Sequence, residues 1–239
     1  MNPQTLARLT GVLFLITYLT SIPAFFVFYA PVLNDPGYIT GAGPDTSVLV
    51  GAFLEVLLII ANIGSAVTLF PVFKRRTEVL ALGYVTARLV ESGFIAVGIL
   101  SLVTVVTLRQ EATGADAASL TLVGQALVAM HNWTFLLGPQ FVVGVGNGLI
   151  LGYLMFRSGL VPRPMALLGL IGGPLLCLAG IAVLFGLVPQ GGAQQSLAAM
   201  PEFFWELSLG VYLTVKGFRR AAAPSQPARA ATNELVPAI

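Results

Sequence analysis

Arg88 and Glu91 lie three residues apart inside the apolar stretch 79–107. A charge placed at mid-bilayer costs roughly 2.5–3.5 kcal/mol on insertion scales, so such residues are retained for a reason. On a helix this spacing puts both side chains on one face, where they can pair. Glu55, His131, Asn147 and Glu206 are further polar residues within apolar runs. Arg88 could hold an anionic group or set the charge state of Glu91. Glu55 and Glu206 have no basic residue within reach on their own helices. Each therefore needs a partner from another segment, or a proton. If Glu55, Glu91 and Glu206 all ionise, three negative charges face Arg88, and a protonated His131 still leaves a deficit. A retained proton, or a bound cation, amine or metal, would close the gap, which makes these residues candidates for a ligand-binding site.

The elements that position them are membrane spans. The 239 residues are 56% hydrophobic and 9% charged, against about 25% charged in soluble domains. Mean hydropathy is +0.90. A span needs about 20 apolar residues. Six stretches qualify, roughly 9–30, 48–72, 79–107, 122–156, 165–188 and 198–217. The fourth is long for one crossing, so an interfacial turn is expected before His131. The first exceeds 20 residues and lacks a small-x-small cleavage site, so it reads as a span and not as a signal peptide.

Ten of the twelve basic residues fall on one side of these spans: Arg8, Lys74, Arg75, Arg76, Arg157, Arg163, Lys216, Arg219, Arg220 and Arg229. The alternate loops carry only Arg109, beside Asp35, Asp45, Glu111 and Asp116. The positive-inside rule then predicts an all-α, polytopic bundle of six transmembrane helices in the cell membrane, with both termini cytoplasmic. Residues 1–220 form its single domain. The Ala/Pro/Ser-rich tail 221–239 is expected to be disordered.

At 1.5 Å per residue, Arg88 and Glu91 would lie about 13 and 18 Å from the cytoplasmic face, and Glu55 about 10 Å below the outer one. Glu206 would match Glu55 if its helix starts near 200. These depths predict an outward-biased polar cavity. Glu55 shares a helix face with Asn62 and Gly51. Glu202, after Pro201, reads as a helix-start residue. Trp205, with Phe203 and Phe204, reads as an outer aromatic belt.

Gly144, Gly148 and Gly152 repeat every four residues, as do Gly169 and Gly173. Such small-residue stripes let helices approach closely, within the chain or across a homodimer seam. Pro139 and Pro174 predict kinks. The single Cys177 excludes a disulfide framework. No phosphate-binding loop, nucleophile elbow or His-Glu-x-x-His motif is present. The sequence therefore predicts no cofactor and no metal centre, and a net charge of +2 gives no reason to expect nucleic acid.

Several segments carry a resemblance: Arg8-Leu9-Thr10-Gly11, Ala87-Arg88-Leu89-Val90-Glu91, the run Leu151–Arg163 (LGYLMFRSGLVPR) and Glu202-Phe203-Phe204-Trp205-Glu206-Leu207-Ser208. In this order, over residues 5–217, the chain resembles the bacterial integral-membrane family known as domain of unknown function 4386. The resemblance implies a six-helix membrane protein and no particular activity. It also implies that similar sequences often carry a second histidine where Asn147 stands, a departure that weakens a two-histidine metal site here.

Three functions fit these residues. The first is a protein that binds or transports a small molecule or ion through a pocket of Glu55, Arg88, Glu91, His131, Asn147 and Glu206. The second is a structural or regulatory module whose polar side chains join helices. The third is an intramembrane enzyme acting on lipid, with His131 and a glutamate as acid and base.

Overall fold

The computed structural model describes residues 2–219, except Ala42 and residues 112–115. The expected disordered tail lies outside the described residues. Those described form seven helices: α1 (Pro3–Phe28), α2 (Ala30–Asn34), α3 (Asp45–Lys74), α4 (Glu78–Glu111), α5 (Ala117–Ser158), α6 (Arg163–Leu184) and α7 (Ala193–Lys216). Five of them, α1, α3, α4, α5 and α6, are long and apolar enough to cross a membrane. The protein is a membrane helix bundle. The sixth expected span, α7, has 24 residues but falls short on hydropathy. Glu202, Glu206 and Gln195 are among the residues that lower it.

Helix ends follow local chemistry. Asn2 caps α1 by accepting the Gln4 N–H, and Pro3 supplies a preset first turn. Asp116 caps α5 through the Ser119 N–H at 2.9 Å and the Ser119 hydroxyl at 3.0 Å. Those two bonds hold its carboxyl below the usual range. Gly159 ends α5 at φ +64°, a conformation that L side chains rarely adopt.

Each long helix packs on the next, and α1 packs on α7, so the six long helices close into a ring. Gly11 makes the closure possible, since a methyl there would strike the backbone of Gly210 and Thr214. The start of α1 is tied to the residues just after α7 as well. Gln4 donates to the Phe218 carbonyl at 2.9 Å and accepts its N–H at 3.0 Å. The flanks present an apolar surface, with Leu19, Phe53, Ile60, Leu100, Leu178 and Val215 all exposed. In water this would be untenable; against lipid it carries no penalty.

Two apolar cores fill the interior. One, around Phe14, Leu69, Tyr84, Met155 and Trp205, lies toward the ends of the helices that carry the basic residues. The other, around Tyr29, Ile39, Val48 and Leu102, lies toward the opposite ends. There Arg109 clasps the loop before α3. It donates to the Gly43 carbonyl at 2.6 Å and the Gly41 carbonyl at 3.1 Å, pairs with Asp45 and covers the Tyr38 ring.

The expected interfacial turn before His131 is not there. α5 runs unbroken for 42 residues. It accommodates Pro139 by widening to π-helix over Leu136–Val142, and again over Gly144–Leu151. The Val143 N–H reaches the Gly138 carbonyl, and the Gly152 N–H that of Asn147. A π-turn relieves the clash between a proline ring and the preceding turn without ending the helix. α1 does the same after Pro23, over Ala24–Phe28. Pro174 stays within regular α-helix.

The stripe Gly144, Gly148, Gly152 is buried against α6, where Gly148 meets Gly173 backbone to backbone. A second copy using the same stripe would have to displace α6. Gly173→Val and Gly11→Val should each lower stability by about 1–3 kcal/mol through overpacking. Gly93→Ala, with open space around its Cα, should leave stability unchanged. Thermal unfolding of the purified variants in detergent checks both.

Candidate functional site

The innermost polar group is a closed three-membered ring between α3 and α4. Arg88 Nη1 donates to Glu91 Oε2 at 2.7 Å. Asn62 Nδ2 donates to Glu91 Oε1 at 3.0 Å, and Arg88 Nη2 donates to Asn62 Oδ1. All three side chains are buried. The i,i+3 spacing on α4 sets the ion pair, and α3 supplies an amide with one donor and one acceptor to complete it. The Phe14 ring lies 5.7 Å from the guanidinium carbon, a cation–π contact that further accommodates the charge.

A second group joins α5 to α7. Asn147 Nδ2 donates to Glu206 Oε1, and Trp205 Nε1 donates to the Asn147 backbone carbonyl at 3.0 Å. The π-helical stretch therefore gives the Asn147 carbonyl two donors, one from its own helix and one from a tryptophan. The helices that carry the two groups pack closely, since a methyl at Gly146 would meet the Ala87 Cβ at 2.7 Å, one residue from Asn147 and from Arg88. Along their helices, Asn62, Arg88, Glu91, Asn147 and Glu206 all lie about 15–20 Å from the ends bearing the basic residues.

A third group lies toward the opposite ends. Tyr29 donates to Glu55 Oε2 at 2.9 Å, and the Tyr29 and His131 rings meet edge to face at 5.6 Å. His131 is buried, with no partner for Nδ1. Among the described residues the His131 side chain makes no hydrogen bond to a carboxyl.

The six residues expected to line one outward-biased cavity are therefore divided. Arg88 and Glu91 pair on α4, Asn147 and Glu206 bond across α5 and α7, and Glu55 and His131 both meet Tyr29. The depth expected for Glu206 rested on a helix starting near 200. α7 starts at Ala193 and carries Glu206 toward the basic ends. Two clefts near the opposite ends are lined by none of the six: one of about 380 Å³ beside Asp35, Gln125 and Asn132, and one beside Asp45 and Arg109.

Two readings are corrected. Glu202 is no helix-start residue, because α7 continues through Pro201 and buries Glu202 in its interior. Trp205 is no belt residue. It is fully buried, facing Gly169, while Phe203 and Phe204 face outward. In the sequence Asn62 stands out only as sharing a helix face with Glu55. Its seven-residue spacing from Glu55 was visible, but its bonding to α4 depends on how α3 and α4 pack.

With this geometry in place, comparison with known proteins adds a family. The model described as "Domain of unknown function (DUF4386)" matches residues 9–217, and the chain belongs to that family. No curated protein and no solved structure matches it.

Removing one partner of a buried ion pair strands the other. Arg88→Ala and Glu91→Ala should each cost on the order of 3–5 kcal/mol, with the double variant losing clearly less than the sum. A double-mutant cycle on thermal stability would show this. Additive losses would mean that the pair does not act as a unit.

Proposed function

We propose that this protein binds, and carries across the membrane, a small polar molecule or ion at the cluster of Asn62, Arg88, Glu91, Asn147 and Glu206. In this reading all six long helices cross the bilayer, α7 with its carboxyls turned inward, and both termini are cytoplasmic. The bias of Lys and Arg toward one set of loops supports that orientation.

One observation carries the reading. Arg88 Nε and Asn147 Oδ1 are buried without a hydrogen-bond partner. They are a donor and an acceptor on side chains whose other polar atoms each have a partner, and the residues of the cluster come from four helices. Orphaned polar atoms in an apolar interior are costly. A solute carrying both an acceptor and a donor would satisfy them. Arg88 would take its anionic or carbonyl end, and Asn147 its N–H or O–H end. Glu91 and Glu206 then set the net charge the site accepts.

The closed Asn62–Arg88–Glu91 ring favours a second reading, in which the cluster is a device that fixes how α3 and α4 pack. The two readings part on a single comparison. Native mass spectrometry of the wild type beside Glu91→Gln and Asn147→Ala should find a co-purifying small molecule that both variants lose while keeping their fold. A bare wild type, with variants altered only in stability, would leave the packing reading standing.

A further inference from the structure

Glu202 is the buried carboxyl that no partner explains. It is 3% exposed, and neither carboxyl oxygen has a hydrogen-bond partner. Its Oε2 occupies a notch between α5 and α6. A methyl added at Gly148 or at Gly172 would come within 2.8 Å of that oxygen. The two glycines thus make room for the carboxyl and surround it with backbone. An ionised carboxylate with no donor in an apolar interior is far more costly than a neutral acid. The charged and titratable groups facing the notch are few. Glu206 is one turn away on α7, Arg88 on α4 and Tyr18 on α1 are within Coulombic reach, and Cys177 lies on α6. Arg88 is already engaged by Glu91 and Asn62, and Tyr18 donates to the Phe203 carbonyl at 2.7 Å.

We propose that Glu202 is a proton-binding site: a neutral carboxylic acid while α5, α6 and α7 are closed around the notch, and a carboxylate once they part. On opening, the O–H bond breaks and the proton passes to entering water. On closing, water returns a proton and the oxygen re-enters the notch uncharged. Proton occupancy is thereby tied to the separation of α6 and α7. This rests on reading the bundle as a binding or transport protein, for which it supplies the coupling ion. The ligand class follows from the notch itself, whose nearest walls are glycine backbone and suit a proton better than a coordinated metal ion.

The test is an infrared difference spectrum of the full chain in lipid bilayers at neutral pH, wild type against Glu202→Gln. The substitution keeps the size of the side chain and is neutral, so it preserves the closed notch. The expected result is a carbonyl stretch of a protonated acid, present in the wild type and missing from the variant. Loss of carboxylate bands instead would overturn the proposal. Treatment with dicyclohexylcarbodiimide gives a second measurement, because the O–H of an acid in apolar surroundings adds across one of its C=N bonds, the proton going to nitrogen, and the O-acylisourea then rearranges to a stable N-acylurea. Peptide mapping should place the adduct on Glu202, in the wild type and in Glu206→Gln alike. A water-soluble carbodiimide should leave Glu202 unmodified. An adduct on Glu206 alone, or equal reaction with both reagents, would place the proton elsewhere. Neither measurement needs a transported solute, so failure to find a ligand at the Arg88 cluster and failure of the proton site are separate results.

Discussion

The guanidinium of Arg88 constrains the rest of the bundle. An arginine cannot shed its charge, so an apolar interior that admits one must surround it with acceptors. Glu91 supplies the opposite charge from one turn along the same helix, and Asn62 closes the ring from α3. The ring fixes more than a pair of side chains. It sets the rotation of α4, because Arg88 and Glu91 must face α3. It sets the register of α3, because an amide one turn away could not reach both. The two apolar cores lie on either side of this layer, and each is built from the same helices that the layer has aligned.

A second constraint acts through glycine. Lipid gives helices no hydrophobic reason to associate, so packing depends on close approach. Gly148 and Gly173 bring α5 and α6 into backbone contact, and Gly169 makes room for Trp205. The tryptophan, anchored there, donates to Asn147 and holds the π-helical stretch against α7. Close packing and polar placement are therefore one arrangement, since the gaps left by missing side chains are where the carboxyl and the indole of α7 enter.

How far this was legible in the sequence depended on the range of the signal. Arg88 and Glu91 share a helix, so their pairing followed from spacing alone. The membrane class followed from composition, and five helices from their apolar length. Glu202 was misjudged because Pro201 is a common helix-start signal. In α7 the start lies eight residues earlier, at Ala193, and a proline within a packed helix is tolerated when neighbours satisfy the freed carbonyl. The depth of Glu206 differs from expectation for a related reason. Depth was reckoned from assumed helix ends, and shifting the start of α7 moved Glu206 toward the other face. Asn62 and Asn147 could not be assigned partners, because the rotation of one helix against another is set by tertiary packing.

The division of the polar residues into separate groups bears on how the bundle could work. A residue locked on all sides resists motion; one held only by van der Waals contact can leave. Asn62, Arg88 and Glu91 are bonded to one another, with Arg88 Nε left over, and moving α3 from α4 would strand a charge in lipid. The contact of α6 with α5 and α7 combines glycine faces, the Trp205 indole, a hydrogen bond from Gln140 to the Leu176 carbonyl, and the Glu202 carboxyl, which has no hydrogen-bond partner. Separating α6 from α5 would break the Gln140 bond to the Leu176 carbonyl but none of the ion pairs found among the described residues. The polar groups thus fall into a charged ring joining α3 to α4 and an unpartnered carboxyl lodged between α5, α6 and α7, while Asn147 with Glu206 joins α5 to α7.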